Sequence, residues 1–417
     1  MERNADSKPR LCDAGHSLIV GFVPPSAGGS SVLTHNLVTC FDPDSFTVAT
    51  RGRWGEKGVS SSPALSSRRI MWETGFSRRL DEWLVSLQRP LGVRRLEKLV
   101  RSTDARVIVG CYPDYHLLST VSETARKLRI PWIAYLHDTI VETAVDVRHE
   151  ARAHRLQKAV FEEATHLFVM SEGMADMYAD RYGVDRPTPL EHVYPEPLSA
   201  PNFDRPFPPS AFWGGNVYDI NASSLGRIAR ALSRTGVRLS VATDQTPSAL
   251  AAQGIDISEV GVAFYRDRTE YLSALGRHGL MVLALNWPDE SPWHEGELST
   301  IFPTKTPEYL ASGRPIIVHC PEHYYLARFF KDRDCGTVIT ERFDKSLETA
   351  IERIFEGGPE VKRRIRNGFR AASLFEPKRI STLFKTVVDA ASLAQWGEKV
   401  SVPASAATAD RERQGET

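Results

Sequence analysis

Short uninterrupted runs of Val, Ile, Leu and Phe alternate with longer amphipathic stretches along most of this chain, and the alternation occurs twice. Apolar runs without polar alternation are strands covered on both faces, so the pattern predicts βα units building parallel sheets. In the first half, strands are expected at 17–23, 46–50, 106–112, 131–136 and 166–170, with helices at 31–41, 115–128 and 172–182 among those between them. A second series of strands at 211–213, 238–243, 261–265, 280–285, 315–319 and 336–339 is joined by helices at 222–234, 270–277, 325–331 and 345–355. Between the series stand Pro195, Pro197, Pro201, Pro206, Pro208 and Pro209, which can continue neither a helix nor a central strand and mark a linker. Length agrees, since 417 residues exceed the roughly 250–300 at which a single core stops growing.

Two final helical patterns, 360–374 and 377–394, have no strand after them and are free to cross back over the first domain. The expected division is an N-terminal Rossmann-like domain over 1–200, a C-terminal one over 201–375, a crossing helix over 376–397 and a disordered tail over 398–417, where apolar periodicity ends.

Lys and Arg number 52, as do Asp and Glu, so no global charge argues for nucleic acid. The cysteines at 12, 40, 111, 320 and 335 are odd in number, widely spaced and free of any C-x-x-C pair, as expected of reduced thiols in a cytosol. Residues 1–9 are polar and carry no apolar signal region, and no apolar run approaches the roughly 20 residues that span a bilayer. A cytoplasmic protein is expected, with any membrane contact peripheral.

The richest segment follows the strand at 280–285. A loop holding Glu290, His294, Glu295 and Glu297 leads into Phe302-Pro303-Thr304-Lys305-Thr306-Pro307-Glu308. Thr306 suits an N-cap and Pro307 the first helical position, which puts Glu308 in the first turn of a short helix ending at Gly313. Ligands of open α/β sheets bind at such strand-to-helix junctions. Free N–H groups and Lys305 could hold a diphosphate there, and an ionised Glu308 has two oxygens for both hydroxyls of a ribose. Taken singly, each residue has a plainer explanation: Glu308 complements the helix dipole and Lys305 is a solvated charge.

Phe302-Pro303-Thr304-Lys305, followed by Glu308-Tyr309-Leu310-Ala311-Ser312-Gly313-Arg314-Pro315-Ile316-Ile317, resembles the donor-site signature of the retaining family-4 glycosyltransferases. The likeness extends through His137-Asp138, Ser171, residues 212–216 and the C-terminal helices, more loosely in the first half. It implies an α/β protein of the GT-B fold, two Rossmann-like domains facing a cleft, with the donor held by the second and the acceptor by the first. The implied reaction moves a hexosyl group from a nucleoside diphosphate sugar to a sugar or lipid-linked acceptor with retention, in polysaccharide or glycoconjugate biosynthesis. No cofactor is implied besides the donor substrate. No metal is expected either, because no D-x-D-like acidic pair stands where it would hold one.

By the same resemblance Glu308 binds the ribose, while Phe302, Pro303, Thr304 and Lys305 lie against the diphosphate and the sugar. Gly28 and Gly29, in the first βα loop, face the donor, as do Gly215 and Asn216 after the first strand of the second domain. His137, closing the strand at 131–136, contacts the transferred sugar and is the catalytic candidate. Two departures stand out. The family often has a first glutamate eight positions before the second, where this chain has Thr300, with Glu297 or Glu295 as substitutes. Many members also carry an Arg and a Lys where this chain reads Gly215-Asn216-Val217-Tyr218-Asp219-Ile220-Asn221. Lys305 with Arg266 or Arg268 would then supply the charge that steadies the leaving diphosphate.

Residues 76–101 mix Trp83, Leu84, Leu87, Leu91 and Leu96 with Arg89, Arg94, Arg95, Lys98 and Arg101. Such a basic amphipathic helix either covers a core or lies on an anionic membrane surface. Two rival classes follow from the same residues. The missing cations and glutamate suit a catalytically inactive GT-B-like binding protein; Rossmann-like halves suit a nicotinamide-dependent oxidoreductase, which the absence of G-x-G-x-x-G opposes.

Overall fold

The computed structural model describes residues 8–22, 29–53, 65–144, 147–201 and 207–401. The chain forms two compact units: unit 1 comprises Met1–Val193 and Pro377–Thr417, and unit 2 comprises Tyr194–Glu376. The chain thus changes unit at the start of the proline-rich segment and again at Glu376/Pro377. Pro206 and its neighbours 202–205 lie outside the described residues.

Unit 1 runs β1 (His16–Val20), α1 (Gly29–Val38), β2 (Phe46–Arg53), β3 (Ser67–Glu73), α2 (Arg78–Thr103), β4 (Ala105–Tyr112), α3 (Tyr115–Leu128), β5 (Trp132–Leu136), α4 (Val147–Glu163), β6 (His166–Val169), α5 (Glu172–Tyr182) and β7 (Thr188–Pro189). Its strands pair in parallel in the order β3-β2-β1-β4-β5-β6-β7. The central strands carry no polar alternation because helices cover both faces; Val107, Ile108, Val109, Ile133 and Ala134 are all fully buried.

Helix ends in unit 1 follow local chemistry. Asp114 caps α3 by accepting from the N–H groups of His116 and Leu117, each at 2.9 Å. Ser171 caps α5 in the same way through Met174, and Gly183, at φ +63°, ends it.

Unit 2 runs β8 (Ser210–Gly214), α6 (Ala222–Arg234), β9 (Arg238–Ala242), α7 (Pro247–Ala252), β10 (Val260–Ala263), α8 (Arg268–Arg277), β11 (Leu280–Ala284), α9 (Glu295–Leu298), α10 (Thr306–Ala311), β12 (Ile316–His319), α11 (Tyr325–Asp332), β13 (Thr337–Ile339), α12 (Asp344–Glu356) and α13 (Pro359–Ala372). The parallel order is β10-β9-β8-β11-β12-β13. The pleat sends Met281 and Leu283 of β11 into one apolar cluster and Leu280 and Val282 into another, one on each side of the sheet. Strand order reverses between β8 and β11, and in open α/β sheets the crevice at such a reversal takes ligands.

After unit 2 the chain returns as α14 (Pro377–Leu393), whose Ile380, Phe384, Val387, Val388 and Ala391 complete the core of unit 1. Phe384 lies 6.0 Å from Phe41 and 5.7 Å from Phe168, ring centre to ring centre. Residues 398–401 do not join the expected disordered tail. Lys399 Nζ donates to the carbonyls of Phe161 and Ala164 at 2.7 Å each, and Val400 N–H donates to Thr165 at 2.9 Å. The rest of that tail, 402–417, lies outside the described residues. Among the described residues no helix is long and apolar enough to cross a membrane.

Candidate functional site

The loop after β11 is fastened by Phe302, which is buried against Phe329 at 4.8 Å, Tyr325 at 5.6 Å and Phe375 at 5.9 Å. Phe302 is therefore a core anchor rather than a ligand-facing group, because an apolar ring gains more from this aromatic cluster than from a wet surface. Beyond it Pro303 is half-buried and Thr304 exposed. The helix expected to be capped by Thr306 starts one residue earlier than that reading. Thr306 N–H already bonds to the Pro303 carbonyl at 2.9 Å, Lys305 occupies the cap position with φ −79° and ψ −10°, and the buried Thr306 hydroxyl has no hydrogen-bond partner among the described residues. Glu308 keeps its place in the first turn. Gly313 ends the helix at φ +67°, where a Cβ would stand 2.9 Å from Pro201.

Charges gather around that first turn. Arg268, opening α8, donates through Nη1 to Glu308 Oε1 at 2.8 Å and through Nε to Glu196 Oε1 at 2.7 Å. The Tyr271 hydroxyl stands beside the Glu308 carboxylate and favours its ionised form. Burial raises the pKa of Glu308 and Arg268 opposes the rise. Tyr194, beside the same carboxylates, is pushed to about 12, chiefly by burial. Lys305 Nζ lies 3.0 Å from the ring centre of Trp213 and donates to the Gly214 carbonyl at 2.7 Å. Desolvation holds its pKa well below the usual lysine value, against the pull of Glu308. A guanidinium, a desolvated lysine and two carboxylates thus share one junction.

The end of β8 meets this cluster directly. Gly214 N–H donates to the Tyr309 hydroxyl at 2.8 Å, and a Cβ on Gly214 would stand 2.5 Å from the Tyr271 hydroxyl. Gly215 is exposed at φ +100°, where no side chain is crowded and the backbone alone requires glycine. Asn216 is exposed as well, with Oδ1 accepting from Thr243 Oγ1 at 2.8 Å. Of the two arginines expected to serve the diphosphate, only Arg268 joins the cluster; Arg266 is exposed and has no ion pair among the described residues. Thr300 is buried and donates to the Glu297 carbonyl at 2.9 Å, Glu297 is buried, and the exposed Glu295 pairs with His323 at 2.8 Å. Sequence reasoning missed Glu196 and Tyr271, and no local signal marks either.

In unit 1, His137 closes β5 with 7% exposure, and neither ring nitrogen has a hydrogen-bond partner among the described residues. Its ring stands edge-on to Tyr135 at 4.4 Å. Burial, with a smaller contribution from His192, pushes its pKa down to about 3. Burial also raises the neighbouring Asp138 to about 6. Gly29 is the first residue of α1, and Gly28 lies outside the described residues. Among the described residues no cluster of His, Cys, Asp or Glu could hold a metal ion.

Residues 28–190 match the family described as the glycosyl transferase 4-like domain. No curated protein matches the chain. Sucrose-phosphate synthase from Thermosynechococcus elongatus superposes with a TM-score of 0.64 at 15% identity, over 88% of this chain and 96% of that one. HepE from Anabaena, in its complex with UDP, gives 0.63 at 12% identity over 90% and 100% of the two chains. The chain has the GT-B fold. A third GT-B structure, the lipopolysaccharide outer core galactosyltransferase WaaB without ligand, superposes at 0.59 with 13% identity over 90% and 99%. HepE has also been solved with UDP-glucose. In this GT-B chain the Glu308–Arg268–Lys305 cluster meets the C-terminal end of β8, one of the two strands between which the order reverses.

Proposed function

We propose that the chain is a glycosyltransferase that moves a hexosyl group from a nucleoside diphosphate sugar to a sugar or lipid-linked acceptor, in polysaccharide or glycoconjugate biosynthesis. One observation carries the reading: a mostly buried carboxylate, a guanidinium and a lysine side chain converge on the glycine-rich end of β8, where a nucleotide meets an acceptor for its ribose hydroxyls and positive charge within one junction. Glu308 takes the ribose hydroxyls. Arg268 gives up its bond to Glu196 as the diphosphate arrives, and Lys305 holds the Gly214–Gly215 turn in place. The acceptor belongs to unit 1, where the imidazole of His137 stays neutral and can give one hydrogen bond and take another from sugar hydroxyls.

In the reaction an acceptor hydroxyl oxygen bonds to the anomeric carbon as the bond from that carbon to the diphosphate breaks; the hydroxyl proton leaves with the released anion or solvent. Fixed positive charge at the diphosphate lowers the barrier most, because that is where negative charge grows. Retention of configuration follows the signature at 302–317 and is read from the anomeric proton coupling of the product.

UDP and UDP-glucose are the first probes, since the Anabaena neighbour was solved with both. Calorimetric titration should show binding that Glu308→Gln weakens by ten- to a hundredfold, about 1.4–2.7 kcal/mol. Unchanged affinity for every nucleoside diphosphate in Glu308→Gln and Lys305→Ala would remove the proposal. A binding module without turnover is the second reading, favoured by the absence of any cation in residues 215–221. Donor hydrolysis without acceptor separates the two.

A further inference from the structure

Helix α2 presents to solvent a file of large apolar side chains: Leu80, Trp83, Leu87 and Leu91 are 40%, 59%, 59% and 46% exposed, and Phe76, just before the helix, is 87% exposed. The opposite side of the helix is spent on the core, with Val85, Val93, Leu96 and Val100 buried. At roughly 100° per residue, Leu80, Trp83, Leu87 and Leu91 fall within the same arc of about 80° as Arg94, Lys98 and Arg101 nearer the C-terminus. The outward face is therefore apolar in its first half and basic in its second.

The charges on that face are uncompensated. Arg79, Arg94, Lys98 and Arg101 are exposed, and none has an ion pair with a described residue. The acids of the same helix are committed elsewhere: Asp81 accepts from Thr74 and Gly75, Glu82 pairs with His116 at 3.0 Å, and Glu97 pairs with Lys127 at 3.5 Å. In a chain whose total charge is zero, this is a local excess of one sign.

We infer that the outer face of α2 is a docking surface for an anionic lipid bilayer. The apolar side chains form a file one residue wide, a shape that enters the boundary between headgroups and acyl chains, and Trp83 is the ring type that settles at that depth. Arg94, Lys98 and Arg101 then lie over the headgroups, with charge of the complementary sign. Resting on the function proposed above, this contact would bring unit 1 to a lipid-linked acceptor in the same membrane.

The test is co-sedimentation of the full chain with vesicles of phosphatidylcholine alone or mixed with about one third phosphatidylglycerol. Binding is expected only with the anionic lipid, weakening as salt is raised from about 50 to 500 mM, because the headgroup charges are screened. The pair Trp83→Ser/Leu87→Ser should lower the partition coefficient at least tenfold, and Arg94→Glu/Lys98→Glu/Arg101→Glu about a hundredfold. Circular dichroism checks folding, and a UDP titration run in parallel separates failure of this surface from failure of the proposed function. No binding to anionic vesicles at low salt, or equal binding by the wild type and both variants, overturns the inference. So does a concentration-dependent dimer that the serine pair abolishes in the absence of any vesicle binding, since the face would then join copies of the chain.

Discussion

Glu308 and Arg268 depend on each other. The carboxylate is mostly buried, so its ionised form relies on the guanidinium 2.8 Å away. Arg268→Ala should therefore raise the Glu308 pKa further and shift the pH dependence of nucleotide binding, because ribose hydroxyls need the ionised carboxylate to accept them. The rise of UDP affinity with pH should lie at higher pH in this variant than in the parent; calorimetry over a pH series decides. His137 works in the opposite sense. Its folded value, about 3, lies below its ordinary 6.5, so the stability it contributes is complete above 6.5 and is lost as pH falls towards 3. Each pH unit in that window costs about 1.4 kcal/mol. His137→Gln should flatten the acid limb of a urea-denaturation series, and an unchanged slope would show the imidazole to be solvated. At this scale the sequence was legible where the signature is local. Glu308 could be singled out from its place in a first turn, but the choice between Arg266 and Arg268 turned on Glu196, which is 72 residues away from the arginine it binds.

Among the elements, β4, β5 and β6 were legible because strands buried on both faces leave continuous apolar runs. β3 escaped for the converse reason. It is an edge strand reading Ser-Arg-Arg-Ile-Met-Trp-Glu, and its arginines face water or pack along β2. The short helix α10 was placed to within a residue, yet the direction of Phe302 was not readable, since a motif gives position and not which way a ring points. The end of β8 carries the prediction proper to this scale. Gly214→Ala puts a methyl 2.5 Å from the Tyr271 hydroxyl, which should cost about 1–3 kcal/mol and weaken UDP binding by displacing a partner of Glu308. Tyr271→Phe removes the crowded oxygen, so the double variant should lose less than the sum of the single ones in a denaturation cycle. Strict additivity would mean that the strain falls elsewhere.

For the whole molecule, the return of α14 to unit 1 sets the order of stability. Phe384→Ala opens the contact with Phe41 and Phe168 and should cost about 3–5 kcal/mol. The loss should appear in the calorimetric transition of unit 1 and leave that of unit 2 unmoved. The same feature bears on how the protein is made. Unit 2 is contiguous in sequence and can close its sheet once residue 376 has left the ribosome, whereas the earlier 193 residues wait with an apolar groove open until the last helix emerges. The part synthesised first is thus the part finished last, and a ribosome that stalls between Glu376 and Leu393 releases a chain with one completed half and one that is prone to aggregate.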